Sequence, residues 1–281
     1  MAHDIQPPSW RIRASSLPTY LDCQVRWAAQ TQRRMVLEAG FTLREIGRPV
    51  GGIVGAGLHA GITVALRPLL SGLAVDSLAR ARDAAAAAVS QEFAEGRPVV
   101  MDQTTGSPGE ARDQTVSMVG SLYERAVPAM RPVLLDPDTQ IEARLHKDAF
   151  VSGKPDMIEL GEQITDLKSG SNRKAAGAQY GAYALLRKSH GLPTKRIVEV
   201  FQRRTKRTLD APVITEIDVG AAERLASATL REAMMKLMAF STTSDPLTFL
   251  PNPGSILCSS RYCPAWGTDF CHAHRTDTKE G

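Results

Sequence analysis

The chain has 281 residues, of which 43% are hydrophobic and 23% charged, and its formal net charge is +4. These values are ordinary for a soluble globular protein of one large domain, or of one and a half. We expect no apolar run to reach the roughly 18–20 residues that span a bilayer, and the opening MAHDIQPPSW lacks the apolar core of a signal peptide. We therefore expect a cytoplasmic protein with no membrane partner, whose four cysteines serve metal binding rather than disulfides.

The N-terminal part begins with residues 1–13, which are predicted to be a loose leader. A serine, Ser15 or Ser16, then caps a short predicted helix that ends at or near Cys23. The helix presents three apolar side chains, Leu17, Tyr20 and Leu21. The resulting pattern is Ser-Ser-Leu-x-x-Tyr-x-x-Cys.

Residues 47–57 are rich in glycine and proline, which predicts a loop. Residues 57–66 follow as a predicted helix that carries His59, four positions after Gly55. A lone histidine on a helix is usually an ordinary core or surface residue. His59 is a candidate metal ligand only together with the carboxylates further along the chain.

Two predicted helices, residues 76–95 and 111–130, flank a turn-rich stretch, residues 97–109, that is expected to be mobile. Neither helix carries a chemical motif, so both are expected to pack on a sheet or to arch over a substrate. Residues 140–145 alternate as a strand does, and we expect them to be the first strand of that sheet. Glu142 on this strand either lies near the metal site or is salt-bridged or solvated.

The stretch Gly153-Lys-Pro-Asp156 is followed by two alternating segments around the turn Gly161-Glu162, and this pattern predicts a β-hairpin. Asp166 and Lys168 are two apart in a strand and therefore project from the same face. Pairing within the hairpin brings Asp156 alongside them. Two carboxylates and a lysine on one sheet edge suit a divalent metal ion with an activated water.

Residues 174–188 are rich in alanine and leucine and predict a helix after the hairpin. Gln179 and Tyr183 are four apart, so they lie on one helical face. Strands are predicted over 195–202 and 212–217, the latter as a hairpin partner, and a long helix over 219–240.

Positive charge is concentrated directly after the hairpin. From Ser169 to Arg207 there are ten lysines and arginines and one acid, Glu199. A basic surface beside a metal site suits a polyanionic substrate, whereas Arg187 and Lys188 taken alone fit a solvated helix face. The residues predicted to contact DNA are Arg173, Lys174, Arg203, Arg204, Lys206 and Arg207.

The C-terminal segment, residues 258–274, is irregular and holds Cys258, Cys263 and Cys271. A segment without a helical or strand period is expected to need something besides its own core to hold it. With Cys23, these thiols could complete a [4Fe–4S] cluster or a tetrahedral zinc site, and unmetallated thiols are the third alternative. His272 and His274 are further candidate zinc ligands.

The ordered motifs Gly-x-x-Asp, Asp-x-Lys and Gln-x-x-x-Tyr together resemble the RecB-like branch of the PD-(D/E)XK nuclease superfamily. Gly55-x-x-x-His59 resembles the first motif of that family. The N-terminal Cys23 with three distant cysteines resembles its iron–sulfur members, including CRISPR-associated and AddB-type exonucleases. The spacing of Cys258 and Cys263 is wider than those members usually show.

The resemblance implies an α/β fold with a restriction-endonuclease-like core, in which helices flank a mixed central sheet. The nuclease domain would cover residues 14–257 with a helical insertion at about 70–132, and the segment 258–274 would be stapled to Cys23. It also implies site roles. The implied ligands of Mg²⁺ or Mn²⁺ are His59, Asp156, Asp166 and the carbonyl of Leu167. Lys168 would stabilise charge or orient water, and Gln179 and Tyr183 would support the site or contact DNA.

The leading hypothesis is a metal-dependent DNA exonuclease that acts on single-stranded ends, in repair, recombination or a related pathway. Since no Gly-x-x-x-x-Gly-Lys-Ser/Thr motif is present, unwinding would need a helicase or recombination partner. The alternatives are a non-catalytic DNA-binding or assembly subunit with the same fold, and a zinc-stabilised binding module. Intact Asp156, Asp166 and Lys168 favour the enzyme.

Overall fold

A computed structural model describes residues 10–146, 149–206 and 210–274. Within these ranges the chain forms short and medium strands: β1 (Trp10–Arg13), β2 (Arg48–Pro49), β3 (Val99–Val100), β4 (Pro132–Leu135), β5 (Ile141–His146), β6 (Ala149–Gly153), β7 (Met157–Glu159), β8 (Gln163–Gly170), β9 (Arg196–Arg203) and β10 (Val213–Ile217). The helices of the same ranges are α1 (Leu17–Asp22), α2 (Gln24–Thr31), α3 (Arg33–Glu38), α4 (Val50–Leu66), α5 (Leu78–Ala94), α6 (Pro108–Arg125), α7 (Gly177–Ser189) and α8 (Val219–Thr243).

The central sheet has five strands in the order β10-β9-β8-β7-β4. The β8 and β9 strands are parallel, whereas the other neighbours are antiparallel. The predicted hairpin is therefore confirmed as β7–β8, and the predicted return strand is confirmed as β10. The prediction of a mixed sheet flanked by helices holds for this sheet.

Alternating side chains of the sheet enter two separate cores. Ile158, Ile164 and Ile197 pack with α7 and α8, and Met157 and Leu167 pack with α4, α5 and α6. This alternation follows from the two-residue period of a strand. The sheet thus lies between two helical layers.

The predicted leader is wrong for its last four residues. Trp10 to Arg13 form β1, which pairs in parallel with β6, and the side chains of Trp10 and Ile12 are buried. The two prolines of the leader, together with the rest of residues 1–9, lie outside the described residues. The strand was not predicted because only four residues of 1–13 alternate between buried and exposed side chains, which is too short a pattern to recognise.

The predicted loop at residues 47–57 is also wrong, because α4 begins at Val50. Val50, Ile53, Val54 and Leu58 recur at helical spacing beneath the glycines, and all four are buried. A Cβ atom at Gly57 would lie within 3.0 Å of atoms of α5 and α6, so the glycine lets these helices approach α4 closely.

The α4 helix and the turn after it, Val50–Ser71, form one helical stretch in the described residues that is apolar and long enough to cross a membrane. Its mean hydropathy is 1.5, which corrects our expectation that no apolar run reaches this length. A buried core helix meets the same criteria, and the apolar residues of α4 pack against α5 and α6.

Residues 140–145 form β5 as predicted, but β5 is not in the central sheet. It belongs to a second sheet with the order β1-β6-β5. Glu142 forms an ion pair with Arg11, at 3.1 Å between Nη2 and Oε2, which confirms the salt-bridged alternative for this residue. The polarity pattern of a strand shows its faces but not its neighbours, which is why the assignment failed.

Serine and aspartate side chains cap the N-termini of α5, α6 and α8. Ser77 accepts a hydrogen bond from Arg80 N, Ser107 from Glu110 N, and Asp218 from Ala221 N. The predicted helix at 111–130 ends at Arg125 and continues as a short 3-10 turn. The stretch expected to be mobile instead contains β3 and a buried Thr105.

The C-terminal segment packs into the same core as α7 and α8. Phe249 and Phe270 are fully buried, with ring centroids 6.0 Å apart, and both contact Phe240 of α8. Leu250 O accepts hydrogen bonds from the backbone of Gln24 and Val25. The segment is thus held by something besides its own core, as expected, and aromatic packing against α8 is part of that attachment. Just before the segment, Phe249 and Leu250 join the chain to α2.

Candidate functional site

The candidate site lies where the pairing of β7 and β8 stops. The last paired residues are Met157 and Thr165, so Asp156 and Asp166 follow next, facing each other. Asp156 Oδ2 accepts a hydrogen bond from the backbone N–H of Leu167 at 2.6 Å. The Leu167 N–H would have bonded to β7 if that strand had continued, and it bonds to the Asp156 carboxylate instead. This hydrogen bond holds the carboxylate where the β7–β8 pairing ends.

Asp166 and Lys168 project from the same face of β8, as predicted. Lys168 Nζ lies 2.6 Å from Asp166 Oδ2, and the Asp166 side chain is 2% exposed whereas that of Lys168 is 31% exposed. Among the described residues the Lys168 ammonium is the partner of Asp166 Oδ2, so a lone pair of this oxygen stays unused. A buried carboxylate oxygen in this state retains capacity for a further cation.

His59 reaches this edge from α4. Its Nδ1 atom lies 2.7 Å from Asp156 Oδ1, and its side chain is partly exposed. The structure therefore brings together His59, Asp156, Asp166 and Lys168, which come from two regions of the chain almost a hundred positions apart.

The charges of the cluster shift one another's protonation. Burial raises the pKa of Asp166 to about 6, and the neighbouring Asp156 charge adds to this. Burial also acts to raise the pKa of Asp156, but the charge and hydrogen bond of His59 outweigh it and the pKa is lowered. For His59 and Lys168, burial acts to lower the pKa, and the carboxylates nevertheless raise it. Asp166 is thus the acid of this cluster that holds its proton most strongly.

The α7 helix covers the same face of β8. Gln179 and Tyr183 are both buried, and Gln179 Nε2 donates a hydrogen bond to the Tyr183 hydroxyl at 2.7 Å. Burial, followed by the charges of Asp166 and Asp156, raises the pKa of Tyr183 well above its usual range. Its hydroxyl stays protonated and is available as a donor beside the carboxylates.

Sequence reasoning missed two residues of this face. Glu199 on β9 is buried opposite Asp166, and the Tyr180 hydroxyl donates a hydrogen bond to it. Lys168 Nζ lies 5.8 Å from the centre of the Tyr180 ring. The available signal was the single acid in the apolar strand segment Ile197–Phe201, which a core strand does not need.

The chemistry of the donor set suits a hard divalent cation, because it offers two carboxylates, an imidazole and the Leu167 carbonyl. Asp166 Oδ2, whose partner among the described residues is the Lys168 ammonium, has room for a further cation and supports this fit. The side chains themselves are turned to other partners, Asp156 to His59 and Asp166 to Lys168. Accordingly, no group of three or more His, Cys, Asp or Glu side chains in the described parts of the chain is arranged to hold a metal ion.

The predicted DNA-contacting residues fall into different environments. Arg173 and Lys174 are exposed, and Arg173 Nε contacts Glu199. Arg203 is exposed and lies 3.6 Å from Asp210, and Lys206 is exposed as well. Arg207 lies outside the described residues.

Arg204 corrects one of these predictions. Its side chain is 4% exposed and its guanidinium lies 2.5 Å from Asp102 Oδ2. Arg204 Nη1 also donates to Asp102 Oδ1 at 3.1 Å and contacts the Thr105 hydroxyl. The Arg204 side chain is therefore used inside the protein, where it holds residues 102–105 against the end of β9, and it does not face a ligand in solvent.

Of the four cysteines, Cys23, Cys263 and Cys271 are buried and Cys258 is partly buried. Burial raises the pKa of Cys258, and raises that of Cys263 to about 11, and in both cases the charges of Cys23 and Cys271 add to the shift. Cys258 Sγ also lies 3.2 Å from His274 Nε2. The donor set is that of a thiolate metal site, but the side chains are not in the arrangement of one.

Comparison with known proteins gives one family. The model of the PD-(D/E)XK nuclease superfamily matches residues 11–268. None of the curated proteins matches the chain. Among solved structures, a "Putative exonuclease" from Eubacterium rectale is similar, with 11% identity, a TM-score of 0.54 and coverage of 88% of this chain and 86% of that one.

A second solved structure, named SSO0001, is 13% identical and covers 71% of this chain and 82% of its own, with a TM-score of 0.28. A score this low carries no argument. The likeness to the first structure, at 11% identity, shows the fold alone.

Proposed function

The chain belongs to the PD-(D/E)XK nuclease superfamily, and from this membership we propose that it is a metal-dependent DNA exonuclease that acts on single-stranded ends. Its place within the superfamily would be the RecB-like branch. The observation that carries the proposal is the convergence of His59, Asp156, Asp166 and Lys168 at the open edge of β8. The name of the Eubacterium rectale protein agrees with it.

The roles follow from the contacts. Asp156 is fixed by His59 and by the Leu167 N–H, so its carboxylate has a single orientation. Asp166 would join it as the second acidic ligand of Mg²⁺ or Mn²⁺, with His59 and the Leu167 carbonyl beside it. When bound, such an ion polarises a phosphodiester and lowers the pKa of a water molecule.

Lys168 is the cation that the substrate would meet. Its ammonium is partly exposed while its carboxylate partner is buried, so it can move towards charge growing on a phosphate oxygen. Tyr183 adds a neutral hydroxyl donor, which Gln179 holds in place. A second protein would supply unwinding of duplex DNA.

The direct test is cleavage of end-labelled single- and double-stranded DNA with Mg²⁺, Mn²⁺ or EDTA. We expect mononucleotides or short products from single-stranded ends with either metal and none with EDTA. Protein that binds DNA without cutting it under any of these conditions would instead be a non-catalytic subunit.

Two variants test the assignment of the site. Asp166→Ala and Lys168→Ala should each lower cleavage by about a hundredfold or more while DNA binding persists. Lys168→Ala should retain Mn²⁺ binding, since no ligand is removed. The exposed pair Glu162–Lys195 provides a matched control, and Lys195→Ala should cut DNA as the wild type does. Near-normal turnover in either site variant refutes the assignment.

For the cysteines, we propose a [4Fe–4S] cluster or, alternatively, one zinc ion bound by Cys23, Cys258, Cys263 and Cys271. The proposal is supported by four free thiols, three of which are buried. Either metal would neutralise the thiolate charges. Its ligands would be separate from His59 and Asp166, the proposed ligands of Mg²⁺ or Mn²⁺.

Anaerobic purification followed by metal analysis separates the alternatives. A cluster gives brown protein with about four irons per chain, and a zinc site gives colourless protein with one zinc. Cys258→Ser should remove whichever metal is present. Metal-free wild-type protein whose Cys23 is freely alkylated in the native state would show that the thiols hold none.

A further inference from the structure

Glu199 is a buried carboxylate that the proposed chemistry does not use. It lies on β9 directly opposite Asp166 in the parallel pairing of β8 and β9, and its side chain is 2% exposed. Placing an acid in a strand of apolar neighbours costs free energy unless both oxygens are paired. The partners of Glu199 therefore indicate why the acid is there.

Both oxygens of Glu199 have a partner. Oε1 accepts a hydrogen bond from Arg173 Nε, and Oε2 accepts one from the Tyr180 hydroxyl. The Tyr180 ring in turn lies beside the Lys168 ammonium. A continuous set of contacts thus runs from the catalytic face of β8 through Tyr180 and Glu199 to Arg173.

The residues at the Arg173 end of this set line a cavity of about 420 Å³. Its lining includes Arg173, Lys174, Gly177, Tyr180 and Glu199. Since the charge of Glu199 is balanced by Arg173, Lys174 leaves the cavity with a net positive charge. Among the described residues, Arg173 is bonded only through Nε, and its two Nη groups remain as donors.

We propose that Glu199 is a positioning residue that fixes the Arg173 guanidinium in this cavity, where its Nη groups bind a phosphate of the nucleic-acid strand next to the bond that is cut. The inference rests on the proposed nuclease function and identifies a second contact of that site. A planar guanidinium held at Nε presents its two Nη groups as a pair, which matches two oxygens of a phosphate.

The test measures binding of a labelled single-stranded oligonucleotide, in EDTA to prevent cleavage, over a range of salt concentrations. Arg173→Gln and Glu199→Gln should each weaken binding about tenfold and reduce the log–log salt slope by about 0.7, the value for one contact on a single strand. The double variant should bind as Arg173→Gln alone does. In steady-state cleavage, each variant should raise KM by more than it lowers kcat.

The exposed Arg34–Glu38 pair has the same Nε-to-carboxylate contact, at 2.7 Å, and is the matched control. Arg34→Gln and Glu38→Gln should leave affinity and slope unchanged. Additive losses in Arg173→Gln and Glu199→Gln, or an unchanged slope in Glu199→Gln, would overturn the positioning role.

Arg173→Lys keeps the inference testable if Glu199→Gln does not fold, because Arg173 is on the surface. It retains the charge but loses the Nε donor and the planar fork. The proposal predicts binding within about twofold of Arg173→Gln, whereas wild-type affinity in Arg173→Lys would refute it. Wild-type protein that binds DNA with this dependence but never cuts it refutes the nuclease function and leaves the role of Glu199 intact.

Discussion

At the scale of single residues, the site combines two acids in opposite states. Asp156 is stabilised as a carboxylate by His59, and its pKa is lowered, whereas burial raises the pKa of Asp166 to about 6. A proton and a metal ion would compete for the same Asp166 oxygen. The site therefore gains its second negative charge only when the pH rises or a cation arrives.

The sign of the pH dependence follows from this shift. Because the folded pKa of Asp166 lies above its ordinary value of 3.8, its contribution to stability is complete below about pH 4 and is lost as the pH rises through about 6. A bound cation compensates for that loss. The rise in Tm caused by Mn²⁺ should thus be larger at pH 8 than at pH 5, and Mn²⁺ affinity should fall about tenfold per pH unit below pH 6.

Thermal denaturation with and without Mn²⁺ measures the first effect, and calorimetric titration with Mn²⁺ from pH 5 to pH 8 measures the second. Asp166→Asn cannot lose a proton, so its weak residual binding should show a smaller step near pH 6. A wild-type affinity that is flat across this range would contradict the shift.

At the scale of elements, the position of α7 decides which side chains face β8. Gly181 in α7 lies against the backbone of Ala222 in α8, so closely that an added Cβ would overlap the Ala222 carbonyl group. The glycine therefore sets the distance between the two helices. Gln179, Tyr180 and Tyr183 flank it, so a displaced α7 would move all three.

Gly181→Ala should lower the free energy of unfolding by about 3 kcal/mol, because the overlap involves backbone that cannot move alone. It should also reduce cleavage even where the protein stays folded. Gly177→Ala on the same helix is the control, since its Cβ would find ordinary contacts at 3.4 Å and alanine favours a helix. Chemical denaturation measures both, and equal stability of the two variants would contradict the role of Gly181.

The sequence predicted the elements whose pattern is local. The β7–β8 hairpin and the face shared by Gln179 and Tyr183 depend on spacing alone, and both occur. The start of α4 was hidden because glycine suggests a turn, although here it serves close packing. The partners of Glu199 and Arg204 required knowing which strands and loops meet, and no local pattern contains that information.

At the scale of the whole molecule, only part of the basic stretch is available to a polyanion. Arg203 and Lys206 are exposed, whereas Arg204 is enclosed with Asp102. Replacing Arg203 and Lys206 by glutamine should flatten the salt slope of single-strand binding by up to about 0.7 per residue. Binding should weaken equally for different sequences, since phosphates carry no sequence information.

Arg204→Gln is the informative contrast. It should leave the salt slope unchanged but cost about 2 kcal/mol of stability, because Asp102 loses its charged partner. Fluorescence anisotropy at several salt concentrations gives the slopes, and thermal denaturation gives the stability. A flattened slope in Arg204→Gln would mean that its side chain reaches DNA after all.

The attachment of the C-terminal segment also belongs to this scale. Phe270 has no exposed surface and contacts the rings of Phe41, Phe240 and Phe249. Phe270→Ala should cost about 3–5 kcal/mol and expose the segment to protease. Cys258, in contrast, is only partly buried, so Cys258→Ser should destabilise less in metal-free protein. Equal losses in both variants after chelation would contradict the aromatic attachment.

The contact of α2 with Phe249 and Leu250 joins parts of the chain that are synthesised at different times. Trp27 packs against Phe249, and the amides of Gln24 and Val25 bond to Leu250, although 226 positions separate Gln24 from Leu250. Domains usually begin to fold while the chain is still growing. Here part of the apolar surface of α2 stays uncovered until Phe249 has been synthesised. Apolar surface that stays exposed during synthesis favours aggregation, and the strand that carries Asp166 is made well before this core can close.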